Sequence, residues 1–135
     1  MTVTWYGPGI LGEVRQAVMR GVFRGAEGVK TEAIRLIESP PKTGRIYKRG
    51  GGFHQASAAG EAPATDLGNL VNSITAEFDF SKLSATVNAS AEYAAALEVG
   101  TPKMAERPFM RPALASRMKH IEADVSNEIR IVLEV

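Results

Sequence analysis

The spacing of apolar residues changes along this chain, and that change constrains the fold more than any other feature. From Leu11 to Leu36, apolar or small residues recur every three or four positions, which predicts an amphipathic helix that ends near Glu38. From residue 73 to residue 90, apolar and polar residues alternate strictly, as in strands with one buried face. The apolar members of this alternation are Ile74, Ala76, Phe78, Phe80, Leu83, Ala85, Val87 and Ala89. The short connection at 79–82 predicts an antiparallel hairpin.

The C-terminal part of the sequence predicts two further helices. A short helix over 93–97 is ended by Gly100, because glycine readily adopts the positive φ found at helix ends. Pro112 stands near the start of a last helix. The predicted apolar stripe of that helix consists of Leu114, Met118, Ile121, Val125, Ile129 and Val132. Two helices covering one face of a small antiparallel sheet form the simplest arrangement that buries these stripes, so we predict a single α+β domain over residues 1–135.

The first predicted helix contains glycines at a spacing that needs an explanation. Each glycine inside a helix costs about 1 kcal/mol relative to alanine, so packing has to hold this helix together. Gly21 and Gly25 form the small-residue pair that lets transmembrane helices approach closely, but Arg20, Arg24 and Glu27 interrupt the segment. We therefore expect either a close packing face inside the fold or a break in the helix.

A segment rich in proline and glycine separates the first helix from the predicted hairpin. Over about residues 39–64 it shows almost no periodicity, so we predict a flexible loop without regular structure. Loops of this length usually serve binding or stay mobile. The segment is basic although the whole chain has a net charge of only +1, because four cations precede its first acidic residue, Glu61: Lys42, Arg45, Lys48 and Arg49.

Few residues are arranged for chemistry. The chain has no cysteine and only two histidines, His54 and His120, so we predict no metal site, no cofactor and no catalytic group. Residues 7–12 spell GxGxxG, but too few residues precede them for the strand that a dinucleotide site needs. An enzyme with a phosphate-binding N-terminus is therefore a minor alternative. The sequence shows neither a signal peptide nor an apolar run of membrane-spanning length, so we expect no export by that route and no membrane partner.

Two ordered blocks of the sequence carry a family resemblance. The second runs from 93 to 114 and contains Tyr93, Leu97, Glu98, Gly100, Thr101, Pro108, Phe109, Pro112 and Ala113. The first runs from 39 to 74 and contains Ser39-Pro-Pro-Lys-Thr-Gly-Arg, Tyr47, Gln55-Ala-Ser57, Gly60-Glu61-Ala-Pro63, Leu67-Gly68-Asn69-Leu70 and Ser73-Ile74. In both blocks the chain resembles the tail-completion proteins of siphophages and prophages, which form the neck that connects head and tail.

The resemblance implies a non-enzymatic structural protein of a virion. Such a chain would form a ring, sixfold by the symmetry of these tails, at the head–tail junction, after synthesis in the cytoplasm of a bacterial host. Its partners would be other copies of itself, the adjacent connector and tail-tube proteins, and DNA passing through the channel without sequence-specific contact. Two alternatives stay open: a tail-terminator ring protein of the same assembly, and a small DNA-binding module that uses residues 42–54.

The resemblance and the basic loop together suggest residues that contact partners. They are Lys42, Arg45, Tyr47, Lys48, Arg49, Phe53, Tyr93, Glu98, Gly100, Thr101, Met104, Arg107 and Phe109. Glu98 is expected to have a structural or an interfacial role, and to accept hydrogen bonds from backbone or from a neighbour's Arg or Lys. Phe109 and Met110 could line a contact surface or fill the domain core. The basic loop could meet acidic protein surfaces, DNA, or solvent alone; we favour protein, because a channel that passes DNA should not grip it strongly.

Overall fold

The structure is a computed structural model that describes residue 2 and residues 7–39, 42–64 and 68–133, without the side chains of Pro8 and Arg49. The proposed roles of Pro40, Pro41 and Leu67 in the family resemblance lie outside these residues. The elements, in chain order, are α1 Gly7–Glu38, β1 Ile46–Arg49, β2 Gly52–Gln55, α2 Asn69–Asn72, β3 Ile74–Asp79, β4 Ser84–Ala89, α3 Ala94–Val99 and α4 Met110–Leu133. The predicted α+β class is confirmed.

Helices α1 and α4 pack against each other in antiparallel directions through the glycines of α1. Gly21 lies against Val125, and Gly25 lies against Ile121 further towards the start of α4. A Cβ atom placed on Gly21 would be 2.7 Å from the Cα of Val125. Because α1 is continuous from Gly7 to Glu38, the glycines form a packing face and do not break the helix.

The predicted hairpin at 73–90 is confirmed. Strands β3 and β4 pair antiparallel, from Ile74 opposite Ala89 to Asp79 opposite Ser84. The Asp79 carboxylate closes the turn by accepting the Ser81 hydroxyl at 2.6 Å and the Lys82 amide at 3.2 Å. Helix α1 packs on this hairpin, and the N-terminal part of α4 shares its core. The core cluster comprises Val29, Ala33, Ile37, Leu70, Ile74, Ala94, Phe109 and Ala113.

The prediction that residues 39–64 lack regular structure is wrong. Strands β1 and β2 form a second hairpin, with Tyr47 opposite His54 and Arg49 opposite Gly52. The two-residue turn, Gly50-Gly51, has Gly50 at φ 59°, a conformation that favours glycine and suits tight hairpins. At the base, the Gly44 amide donates to the Ala56 carbonyl at 2.9 Å. We call residues 44–57 the arm.

The predicted apolar stripe of α4 coincides only in part with the surface that packs on α1. Leu114 and Met118 are 47% and 44% exposed, whereas Ala113 is fully buried and Glu128 is 4% exposed. The face of α4 that meets α1 therefore includes small and charged residues. Ile121 and Val125 of the stripe pack against the α1 glycines, whereas Leu114 and Met118 are left exposed.

Candidate functional site

The segment from Tyr93 to Leu114 folds back on itself and brings the end of α3 to the start of α4. Helix α3 ends at Gly100, whose φ of 77° lies in the region that favours glycine. Thr101 and Met104 then form a tight turn, in which the Thr101 amide donates to the Met104 carbonyl at 2.8 Å. The Arg107 amide returns to α3 and donates to the Leu97 carbonyl at 2.6 Å. This reversal places the first amides of α4 beside Glu98.

Glu98 caps the N-terminus of α4 from a different helix. Its carboxylate accepts the backbone N–H groups of Phe109, Met110 and Arg111 at 2.8, 3.0 and 2.8 Å. These amides have no partner within the helix, and a carboxylate also interacts favourably with the positive end of the helix dipole. The expectation that Glu98 has a structural role and accepts hydrogen bonds from backbone amides is confirmed.

Arg111 completes this cap from the outside. Its Nε donates to Glu98 at 3.2 Å, while its Nη2 donates to the Glu98 carbonyl at 2.6 Å and to the Glu106 carboxylate at 3.1 Å. Burial opposes ionisation of Glu98, but the three amides and Arg111 together outweigh it and lower the pKa of this carboxyl. Glu98 is therefore an ionised structural group at neutral pH.

The other predicted contact residues of this segment differ in exposure. Phe109 is 1% exposed and sits in the core, so its assignment to a contact surface is wrong and the core alternative holds. The reason is that its ring joins the core cluster with Ile37, Ala94 and Ala113, where α1, α3 and α4 meet. Tyr93 is 46% exposed, and Thr101 is also exposed. Met104 and Arg107 are half-buried and contact each other.

In the arm, the predicted contact residues occupy two faces. Tyr47 stacks edge-on against His54, with ring centroids 5.3 Å apart, and both line a pocket against the body of the domain. Phe53 is 81% exposed, and Arg45 and Lys48 are exposed as well. The backbone of Arg49 ends β1, but its side chain lies outside the described part of the structure.

Lys42 is engaged within the chain rather than turned towards a partner. Its ammonium donates to the carbonyls of Leu36 at 2.9 Å and Ala62 at 3.0 Å. It therefore provides a hydrogen-bond donor for a carbonyl in the last turn of α1 and links that turn to the segment that follows the arm. Burial lowers the pKa of this lysine. Lys42 is thus a structural residue at the base of the arm, and any contact with a partner would compete with these bonds.

Glu61 closes the base of the arm, a role that the sequence did not indicate. Its carboxylate accepts the hydroxyl and the amide of Thr43 and the amide of Ala58, the last at 2.8 Å. The Thr43 hydroxyl, followed by the two amides, lowers the pKa of Glu61 to about 2. The arm is therefore fastened at both ends.

A second charged cluster joins the two long helices. Glu128 is 4% exposed and accepts Arg20 Nε at 2.9 Å and Arg24 Nη1 at 2.5 Å. The hydrogen bond from Arg20 is the main cause that lowers the pKa of Glu128. Sequence analysis missed this cluster because its partners lie about a hundred residues apart.

An open apolar groove of about 440 Å³ lies between α1, β4 and α4. The exposed Leu114 and the half-buried Ile121 line it on the α4 side, so it receives part of the apolar stripe that α1 leaves uncovered. We call this surface the groove. The lining residues are Val22, Gly25, Ala26, Val29, Ala85, Thr86, Val87, Met110, Arg111, Leu114 and Ile121.

The sequence motifs considered for nucleotide or metal binding are not arranged as such sites in the described residues. The GxGxxG segment at 7–12 lies inside α1 and not in a loop before a helix. Among the described residues, no group of three or more histidines or carboxylates could hold a metal ion. Within the same residues, neither long helix has an apolar stretch that could cross a membrane. Comparison of the chain with protein-family models, curated sequences and solved structures found no match.

Proposed function

We propose that this protein is a structural virion subunit that completes the tail of a tailed phage, or of a prophage-derived particle, and joins it to the head as part of a ring. The chain acts by binding other proteins and performs no catalysis. The proposal places it at the head–tail junction, in contact with copies of itself and with the adjacent connector and tail-tube proteins.

The observation that carries the proposal is the corner held by Glu98. The residues that resemble the tail-completion family, from Tyr93 to Ala113, fold into one unit in which Glu98 caps α4, Gly100 makes the turn and Phe109 enters the core. These residues thus form a hydrogen-bonded corner between α3 and α4. A rigid frame suits a protein whose task is to hold surfaces in fixed positions.

The exposed surfaces fit a ring subunit. A ring forms when two different patches of identical chains meet and the rotation closes. The arm, with its exposed Phe53, and the groove, with Leu114 at its edge, are two such patches on one molecule. Exposed apolar surface of this kind marks sites of protein interaction.

Electron microscopy of particles made without this gene tests the proposal, with the purified protein added to a parallel sample. Separate filled heads and tails of finished length, joined after the addition, are the expected result. Overlong tails would favour the tail-terminator alternative. Normal infectious particles would overturn the proposal.

A second candidate function, contact with DNA, is favoured by the exposed cations of the arm. Arg45 and Lys48 are exposed on a hairpin that carries no acidic residue. The test is binding of duplex DNA at several salt concentrations by the native chain, by Arg45→Ala/Lys48→Ala and by the control Lys119→Ala. Each lost phosphate contact should reduce the slope of log affinity against log salt by about 1. Equal slopes for all three proteins would exclude the arm as the DNA contact.

A further inference from the structure

We infer that the arm of one copy docks into the groove of a second copy of this chain. The inference rests on the proposed ring, because it names the contact by which neighbouring subunits would join. The partner is the same protein, and the contact is an apolar insertion flanked by an ion pair.

The outward face of the arm supplies the inserted group. Residues opposite each other in an antiparallel pair share a face, so Ile46, Lys48, Phe53 and Gln55 lie together. Ile46 is 60% exposed and Phe53 is 81% exposed. The other face, with Tyr47 and His54, is turned to the chain's own body. The two strands of the arm pack mainly against each other, which leaves the outward face available to a neighbour.

The groove offers a receptor of suitable size and chemistry. Its lining is mostly aliphatic, with Thr86 and Arg111 as polar members. Its volume of about 440 Å³ exceeds the roughly 150 Å³ that suffice to hold a benzene ring in an apolar cavity. Leu114, which lines the groove, and Met118, one turn further along α4, are each nearly half exposed. A phenylalanine seated there would cover apolar surface on both molecules.

Charge also distinguishes the two surfaces. Arg111, the cation in the lining of the groove, is already paired with Glu98 and Glu106 of its own chain. Lys48 lies directly opposite Phe53 in the arm, and Arg45 precedes β1. On α4, the exposed Glu122 follows Met118 by one turn and so extends the same face beyond the groove. Because the arm has no acidic residue of its own, the attraction favours a neighbour's α4 over another arm.

The two surfaces are different patches of one chain, so a contact between them can continue head-to-tail from copy to copy. Each subunit offers one arm and one groove, and each added copy again leaves one of each free until the ring closes. A closed dimer in which each arm enters the other copy's groove would also use both patches, but it would give cross-linked dimers and no larger species.

The absence of cysteine from the natural chain permits a direct test. The variant Phe53→Cys/Leu114→Cys is oxidised at several concentrations and resolved under denaturing conditions. The expected result is a ladder of dimers, trimers and larger species that collapses on reduction. The matched control, Phe53→Cys/Lys119→Cys, moves the second thiol roughly 140° around α4 to another exposed position. The control should give no ladder.

A mixing experiment tests the directionality of the contact. Phe53→Ser removes the inserted ring, and Leu114→Arg blocks the groove; each change should weaken self-association about tenfold or more. In a mixture, Leu114→Arg supplies an intact arm and Phe53→Ser supplies an intact groove. Sedimentation should therefore show 1:1 dimers and nothing larger. Far-ultraviolet circular dichroism and thermal melting verify that both variants are folded.

Several outcomes would overturn the inference. They are a native chain that stays monomeric and gives no cross-link, equal ladders in the test and control variants, or unchanged self-association in Phe53→Ser. Failure of the docking contact can be distinguished from failure of the proposed function. A chain that joins heads to tails without the cross-link refutes only the docking contact, whereas a chain that cross-links while its deletion leaves particles normal refutes only the proposed function.

Discussion

Replacing Gly21 by alanine should destabilise the protein, although alanine is the better helix former. The new Cβ would lie 2.7 Å from the Cα of Val125, 2.8 Å from its Cγ2 and 3.0 Å from its backbone nitrogen. Two of these three atoms belong to the backbone and cannot rotate away. Helix α4 would have to move outward, and its contacts with the neighbouring Gly25 would loosen as well.

The expected loss follows from two opposing effects. Alanine gains about 1 kcal/mol over glycine in a helix interior. Forcing an extra methyl into a packed interface costs about 1–3 kcal/mol, and a clash with backbone places Gly21 in the upper part of that range. The net loss should be about 1–2 kcal/mol. On the same helix, a Cβ on Gly12 would meet nothing within 4 Å, so Gly12→Ala should gain about 0.5–1 kcal/mol.

Urea unfolding followed by circular dichroism measures both effects. With a slope of about 1–3 kcal/mol per molar urea, the midpoints of Gly21→Ala and Gly12→Ala should differ by on the order of 1 M, with the native chain between them. The reasoning is refuted if Gly21→Ala is as stable as Gly12→Ala, because the glycine would then have no packing role.

Two further predictions concern the carboxylates. Glu98→Ala leaves three amides at the start of α4 without their acceptor, so urea unfolding should show a free energy of unfolding lower by about 2–3 kcal/mol. The exposed control Glu106→Ala should change the free energy of unfolding by less than about 0.5 kcal/mol. Equal losses in the two variants would contradict the capping role of Glu98. Because the pKa of Glu61 falls from 4.5 to about 2 on folding, its ionised form stabilises the fold above pH 4.5, and this contribution is lost as pH falls towards 2. Thermal melts from pH 2 to 7 should show a weaker acid dependence for Glu61→Gln than for the native chain, and identical profiles would rule out this role.

Local patterns in the sequence determined most of the secondary structure. The period of three to four residues predicted α1 to its last residue, Glu38, and the alternation at 73–90 predicted β3 and β4. These patterns succeed because the spacing of buried side chains is fixed by the geometry of the element itself. The arm was missed although its signal is present. Gly50-Gly51 is a typical hairpin turn, but the flanking strands have only four residues each and little alternation.

Tertiary structure alone decided which residues contact which. The sequence showed that Glu98 could accept hydrogen bonds, but only the reversal of the chain at 100–107 brought the amides of α4 to it. The sequence also could not decide whether Phe109 fills the core or lies on a contact surface, and it did not predict the ion pair between Glu128 and Arg20. The physical reason is distance along the chain: periodicity records which side of an element is buried, whereas the partner of a buried group depends on how separate elements pack.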